Sequence, residues 1–260
     1  MGGPVRQSSD HQRHCCRRSP PCDELVEASR IVTDTVRLVV ACAGGGSSSG
    51  PSPWTPTVAF GNRYEDGSEN VGYHSDFLMS LGPRPVIAGL NLGAARVFRL
   101  RSADGGGLDA HGAQRRKTTT VSIPACHNSL IVMKAGAQES WYHAVPQCSN
   151  SSIRSRSDSG LVRYSLTFRM ERPNFSSKLG GERCHCGGRP VLKCSPREGT
   201  YYLCCNPAGG SAAAKCRFWT RCKVADEEAR RLRRLEHSRD GLKVGTNEEA
   251  AIQMGDEASN

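Results

Sequence analysis

The chain has 260 residues, with 35 Lys and Arg against 25 Asp and Glu, and 13 Cys. That length suits one medium domain and one small one, and the positive excess favours a polyanionic partner such as nucleic acid. No run of about 18 apolar residues occurs and no charged, apolar, small-residue leader opens the chain, which excludes a helical membrane span and predicts an intracellular protein.

The first 22 residues mix charge, Pro and Ser without an apolar period, so residues 1–22 are expected to be disordered. From Asp23 to Cys42, Leu25, Val26, Ile31, Val32, Val36, Val39 and Val40 recur mostly three or four apart, which predicts one amphipathic helix. The stretch AGGGSSSGPSP then reads as a flexible connector. Residues 54–170 hold short apolar or alternating runs such as PVIAGLNL, ARVFRLR and SLIVMKA, separated by Gly, Pro, Asn and Ser, which predicts a β-sandwich or barrel. Two polar inserts, one carrying Arg115, Arg116 and Lys117, read as mobile loops with a solvated charge run. A Cys-, Gly- and aromatic-rich unit covers residues 182–221, and residues 222–260 read as an exposed helix with a disordered tail.

Within the β-rich region, HSD places His74 and Asp76 two apart, and on a strand such residues share a face. One such pair is a weak signal, and WYHAVP supplies a third candidate, His143. Two His and one carboxylate make the facial triad of non-haem Fe(II) oxygenases, which leaves coordination positions open for a chelating co-substrate and oxygen; zinc is the competing metal. In RYSLTFR, Arg163 and Arg169 lie six apart on one strand face. A strand Arg aimed into a barrel needs an anion, and a dicarboxylate such as 2-oxoglutarate would serve.

Together NRYEDG, HSD, WYHAVP and RYSLTFR resemble the AlkB family of Fe(II)- and 2-oxoglutarate-dependent dioxygenases, in particular the members that repair alkylated DNA. The resemblance implies a double-stranded β-helix (jelly-roll) domain over residues 23–172, with iron held by His74, Asp76 and His143. It also implies a 2-oxoglutarate site at Asn62, Tyr64, Arg163, Ser165 and Arg169, and oxidative demethylation of N-alkylated nucleobases. The chain departs from the family pattern at Ser165, where Asn is frequent, and at Leu78, where an acidic residue is common. Only one helix precedes Trp54, so the nucleotide-gripping lid is expected to be largely missing.

The last unit reads CHCGGRPVLKC…TYYLCC…KCRFW. Four thiolates in a short Gly-rich hairpin suit a closed tetrahedral zinc site that replaces a core too small to form alone. Cys184, Cys186, Cys204 and Cys216 are the expected ligands, with Cys194 and Cys205 extra thiols and His185 a substitute. The unit resembles a GRF-type zinc finger, which implies single-stranded nucleic acid as ligand, with Tyr201, Tyr202 and Phe218 as stacking or knuckle-packing rings. Lys193, Arg197, Arg217 and Arg221 would supply charge. The expected whole is a monomeric, nuclear DNA demethylase, with RNA as the alternative substrate. A protein or small-molecule hydroxylase on the same fold and a non-catalytic nucleic-acid-binding protein are the competing functions.

Overall fold

The computed structural model describes residues 21–42, 54–103, 117–179, 183–205 and 216–241. The expected disorder of residues 1–22 and of the tail, the Gly/Ser connector, and the Arg115–Arg116 pair fall wholly or mostly outside these residues.

Helix α1 (Asp23–Cys42) precedes eight strands: β1 (Val58–Tyr64), β2 (Val71–His74), β3 (Ile87–Gly93), β4 (Arg96–Ser102), β5 (Thr120–Ala125), β6 (Ser129–Met133), β7 (Trp141–Val145) and β8 (Arg163–Arg169). They form two antiparallel four-stranded sheets, ordered β1-β8-β3-β6 and β2-β7-β4-β5, an arrangement that fits a jelly roll. Period-two alternation makes the cleft between them polar and the outer face of the first sheet greasy. On that outer face Ala88 and Phe168 are buried with Val32 and Val36 of α1 and with Trp54, flanked by Leu90, Leu130, Val132 and Leu166. The apolar period of α1 therefore covers a sheet, and Trp54 locks it by donating from Nε1 to the Val86 carbonyl at 2.9 Å. On the inner face, β8 presents Arg163, Ser165, Thr167 and Arg169. At the end of β3, Gly93 has φ 83 and lies so close to Val162 that a Cβ would sit 2.2 Å from its carbonyl oxygen, so only glycine fits this turn.

Short helices α2 (Leu78–Leu81), α3 (Ala137–Ser140) and α4 (Pro173–Lys178) sit at one end of the barrel. The cysteine-rich unit adds β9 (Val191–Cys194), β10 (Tyr201–Cys204) and β11 (Trp219–Arg221), followed by α5 (Lys223–Gly241). Its sheet is ordered β11-β10-β9. One core joins unit and barrel: Leu78 of α2 and Phe175 of α4 are buried with Leu192, Tyr201, Leu203, Cys222, Ala225 and Ala229. Burying side chains of this size contributes on the order of 1.5–3 kcal/mol each, so the unit is seated on the barrel rather than tethered to it.

The expectation of an exposed helix after residue 222 is therefore corrected. Ala225 and Ala229 of α5 are fully buried. Alanines four apart give a narrow stripe that a count of large apolar residues overlooks, yet they allow close approach of two backbones. Salt bridges reinforce the docking, Arg84 to Glu236 at 2.6 Å and Arg172 to Glu228 at 3.8 Å.

Candidate metal centre and co-substrate cleft

His74 ends β2 and pairs across the sheet with His143 on β7. Their rings lie 4.2 Å apart between centroids. Asp76 is not on the strand, as two-residue spacing suggested: β2 stops at His74, and Asp76 occupies the extended turn into α2. Its Oδ1 lies 4.0 Å from Nε2 of each histidine, and one donor atom from each of the three residues falls within 4.8 Å of the others.

Several contacts fix these donors for ligation. His74 Nδ1 donates to the Gly72 carbonyl at 2.8 Å, which leaves Nε2 as the lone-pair nitrogen facing Asp76. Phe98 stacks on His143 at 5.6 Å. Burial, helped by the charge of His74, lowers His143 to about 4, so its imidazole is neutral and able to ligate at physiological pH. Burial works to raise the Asp76 carboxyl, but Arg169 outweighs it by donating from Nε to Oδ2 at 2.6 Å, and the group is held below its ordinary value. The backbone N–H of Asp76 is fixed separately by Gln138 Oε1 at 2.8 Å.

Next to these residues lies a solvent-open cleft, lined by Asn62, Tyr64, Asn91, Ser165, Thr167 and Arg169 as well as the two histidines. Arg163 stands behind its wall. Only 1% exposed, it donates from Nη2 to Asn91 Oδ1 at 2.6 Å and lies 4.9 Å from the Tyr64 ring centroid. Its Nε and Nη1 are buried without a hydrogen-bond partner. Buried guanidinium nitrogens without acceptors are costly, and a carboxylate would satisfy them. The donor set thus fits a hard, open-coordination metal ion beside a dicarboxylate.

The five residues expected to bind 2-oxoglutarate all gather here, Arg163 through Tyr64 and Asn91. Sequence reasoning missed Asn91, a lone amide inside an apolar strand, and Gln138, whose role depends on a contact 62 residues away in sequence. Leu78 does not face the cleft; it is buried against the cysteine-rich unit.

In that unit, Cys184, Cys186, Cys205 and Cys216 bring their sulfurs within 4.8 Å of one another. Cys205 thus stands where Cys204 was expected. The reason is strand alternation: Cys204 ends β10 with its side chain on a sheet face, whereas Cys205 has left the strand and can turn toward the Cys184–Cys186 loop. The Cys205 sulfur lies 3.7 Å and 3.6 Å from those of Cys184 and Cys186, which are themselves 2.7 Å apart, against an edge of about 3.8 Å in a tetrahedral zinc–thiolate site. His185 instead packs edge-on against Phe218 at 5.4 Å, and Cys194 lies with the hydrophobic core.

The family model of the 2OG-Fe(II) oxygenase superfamily matches residues 3–169. The chain is 34% identical to the rat protein "Alpha-ketoglutarate-dependent dioxygenase alkB homolog 3", over 44% of this chain and 35% of the relative. It is 30% identical to the human protein "DNA oxidative demethylase ALKBH2", over 39% of this chain and 44% of that one. The match thus spans less than half the length of either relative. A solved structure, "The structure of OsALKBH1", aligns at 19% identity with a TM-score of 0.36, over 58% of this chain and 67% of that one.

Proposed function

Because the chain belongs to the 2OG-Fe(II) oxygenase superfamily, we propose that it is an AlkB-type demethylase that removes N-methyl groups from nucleobases in DNA, with a zinc-stabilised module that holds single-stranded nucleic acid beside the active site. The observation that carries this reading is the pairing of the His74–Asp76–His143 cluster with a buried guanidinium whose Nε and Nη1 lack partners. The relatives are named for alkB-type dioxygenation and DNA oxidative demethylation, which supports a nucleic-acid substrate over a protein.

Iron(II) with 2-oxoglutarate and oxygen would supply oxidation: one oxygen atom leaves in succinate as the co-substrate loses carbon dioxide, and the other hydroxylates the N-methyl group, which departs as formaldehyde. The chain's own residues then have distinct duties. His74, Asp76 and His143 would hold the metal, and Arg163 with Tyr64 would take the distal carboxylate of the co-substrate. Burial raises the Tyr64 phenol above its ordinary value, so it stays a hydrogen-bond donor. Arg169 keeps Asp76 ionised and oriented. A base must leave its stack to enter such a cleft, so single strands or flipped nucleotides are the expected substrates.

On the module, the cysteine cluster would hold zinc. Trp219 is 62% exposed and lies 5.8 Å from the Tyr202 ring, with Lys193 and Arg221 paired across the strands from Tyr202. Rings and cations so interleaved suit base stacking and phosphate contact. A repair role would place the protein, as a monomer, in the nucleus.

The test is succinate and formaldehyde release with Fe(II), 2-oxoglutarate and single-stranded DNA carrying 1-methyladenine or 3-methylcytosine. Turnover absent from His74→Ala is expected. Consumption of 2-oxoglutarate that no methylated oligonucleotide stimulates would overturn the substrate assignment and leave a hydroxylase of another class.

A further inference from the structure

The segment that carries Asp76 is held from outside the barrel. Asp76 is followed two residues later by Leu78, which is buried against Leu192, Tyr201 and Leu203 of the cysteine-rich unit. Beyond α2, the Arg84 N–H donates to Glu139 Oε1 at 2.6 Å. That oxygen also accepts the Tyr201 hydroxyl at 2.8 Å, in a buried contact. The other oxygen of Glu139 is buried with no hydrogen-bond partner, so the carboxylate's orientation rests on those two donors. Glu139 adjoins Gln138 on α3, and Gln138 fixes the Asp76 N–H. Tyr201 is thus one residue from two anchors of a metal ligand.

Tyr201 is itself placed by its own unit. Its backbone N–H donates to Asp226 Oδ1 at 2.8 Å, and its strand β10 runs directly into Cys205, a member of the thiol cluster. The three strands of this unit are three or four residues long. Strands so short do not persist alone, and the cluster ties together the turn at 184–188, the end of β10 and the approach to β11. A metal there would order β10 and hence Tyr201.

We propose that the Cys184–Cys186–Cys205–Cys216 cluster and the His74–Asp76–His143 centre are coupled metal sites, with Tyr201 and Glu139 as positioning residues that transmit the state of the first to the Asp76 segment of the second. The proposal rests on the reading of His74, Asp76 and His143 as a metal centre. Coupling between sites is reciprocal in binding free energy, so each metal tightens the other by one factor. Outer partners of metal ligands typically change affinity about ten- to a hundredfold; with an intervening residue, about tenfold is expected.

The experiment uses the metal-free full chain, with Mn(II) as probe of the His/Asp site and Cd(II), which prefers thiolates, as probe of the cluster. Free Mn(II) is followed by electron paramagnetic resonance and Cd(II) by its thiolate absorbance. One equivalent of Cd(II) should lower the Mn(II) Kd about tenfold, and saturating Mn(II) should lower the Cd(II) Kd by the same factor. Tyr201→Phe should still bind Cd(II) yet show a coupling of no more than about twofold. Equal Mn(II) affinity with and without bound Cd(II), or undiminished coupling in Tyr201→Phe, would overturn the proposal. Mn(II) binding that survives His74→Ala would instead sink the metal-centre reading, which keeps the two failures distinguishable.

Discussion

Arg163 shows how much one side chain can say about a missing partner. Its guanidinium is buried, donates once to Asn91, and has two further buried nitrogens without acceptors. Hydrogen bonds to charged groups contribute about 1.5–3 kcal/mol, so Arg163→Gln should raise the 2-oxoglutarate Kd about a hundredfold. Calorimetry on the Mn(II)-loaded chain measures it, with Arg99→Gln, on the far face of β4, as the unaffected control; an unchanged Kd in Arg163→Gln would remove this arginine from the co-substrate site. The sequence made Arg163 visible because an arginine inside an alternating strand is conspicuous. Asn91 was not visible, since one amide in PVIAGLNLG reads as a strand interruption until the register Asn91↔Ser165 and Gly93↔Arg163 puts it against the guanidinium.

Among the elements, β10 carries more than its four residues suggest. Burial first, and then the Glu139 carboxylate, push the Tyr201 phenol far above its ordinary value. The folded chain therefore keeps this proton where the unfolded chain releases it, above about pH 10. The associated stability is fully present below pH 10 and is lost as pH rises, at about 1.4 kcal/mol per pH unit for one proton. Denaturant unfolding between about pH 10 and 11.5 should accordingly give a flatter stability profile in Tyr201→Phe than in the parent chain. Identical slopes would mean that Tyr201 ionises normally and that its contact with Glu139 is not maintained. Strands such as β3, β4, β6 and β8 were legible as short apolar or alternating runs between turn residues, and helix α1 by its period near 3.6. Helix α5 was legible as a helix, but its docking was not, because its buried face carries Ala225 and Ala229, which give little hydrophobic signal. The fourth thiol of the cluster was misplaced for a related reason: adjacent Cys204 and Cys205 differ only in where the strand ends, and strand ends are the least determined feature of a pattern.

Over the whole molecule, the seating of the cysteine-rich unit on the barrel brings two candidate nucleic-acid surfaces into one body. Outward-facing Arg101 on β4 lies 3.9 Å from the Tyr73 ring and 5.9 Å from that of Tyr142. Rings and cations thus occur on both units: Trp219 and Tyr202 on the module, and Tyr142, Arg101 and Tyr73 on the barrel sheet that bears His74 and His143. A nucleic-acid strand bound across both would stack on the rings and meet guanidinium groups. The two residue types then predict different signatures. Trp219→Ala should weaken binding of a single-stranded oligonucleotide about tenfold with its salt dependence intact, since stacking contributes about 1–3 kcal/mol per base. Arg101→Gln should weaken it and lower the slope of log K against log salt by about 0.7, the signature of one lost phosphate contact on a single strand. Fluorescence anisotropy over a salt series reads both quantities. If both variants bind like the parent chain at every salt concentration, the strand follows another path, and the fixed seating of the module serves the Asp76 segment alone.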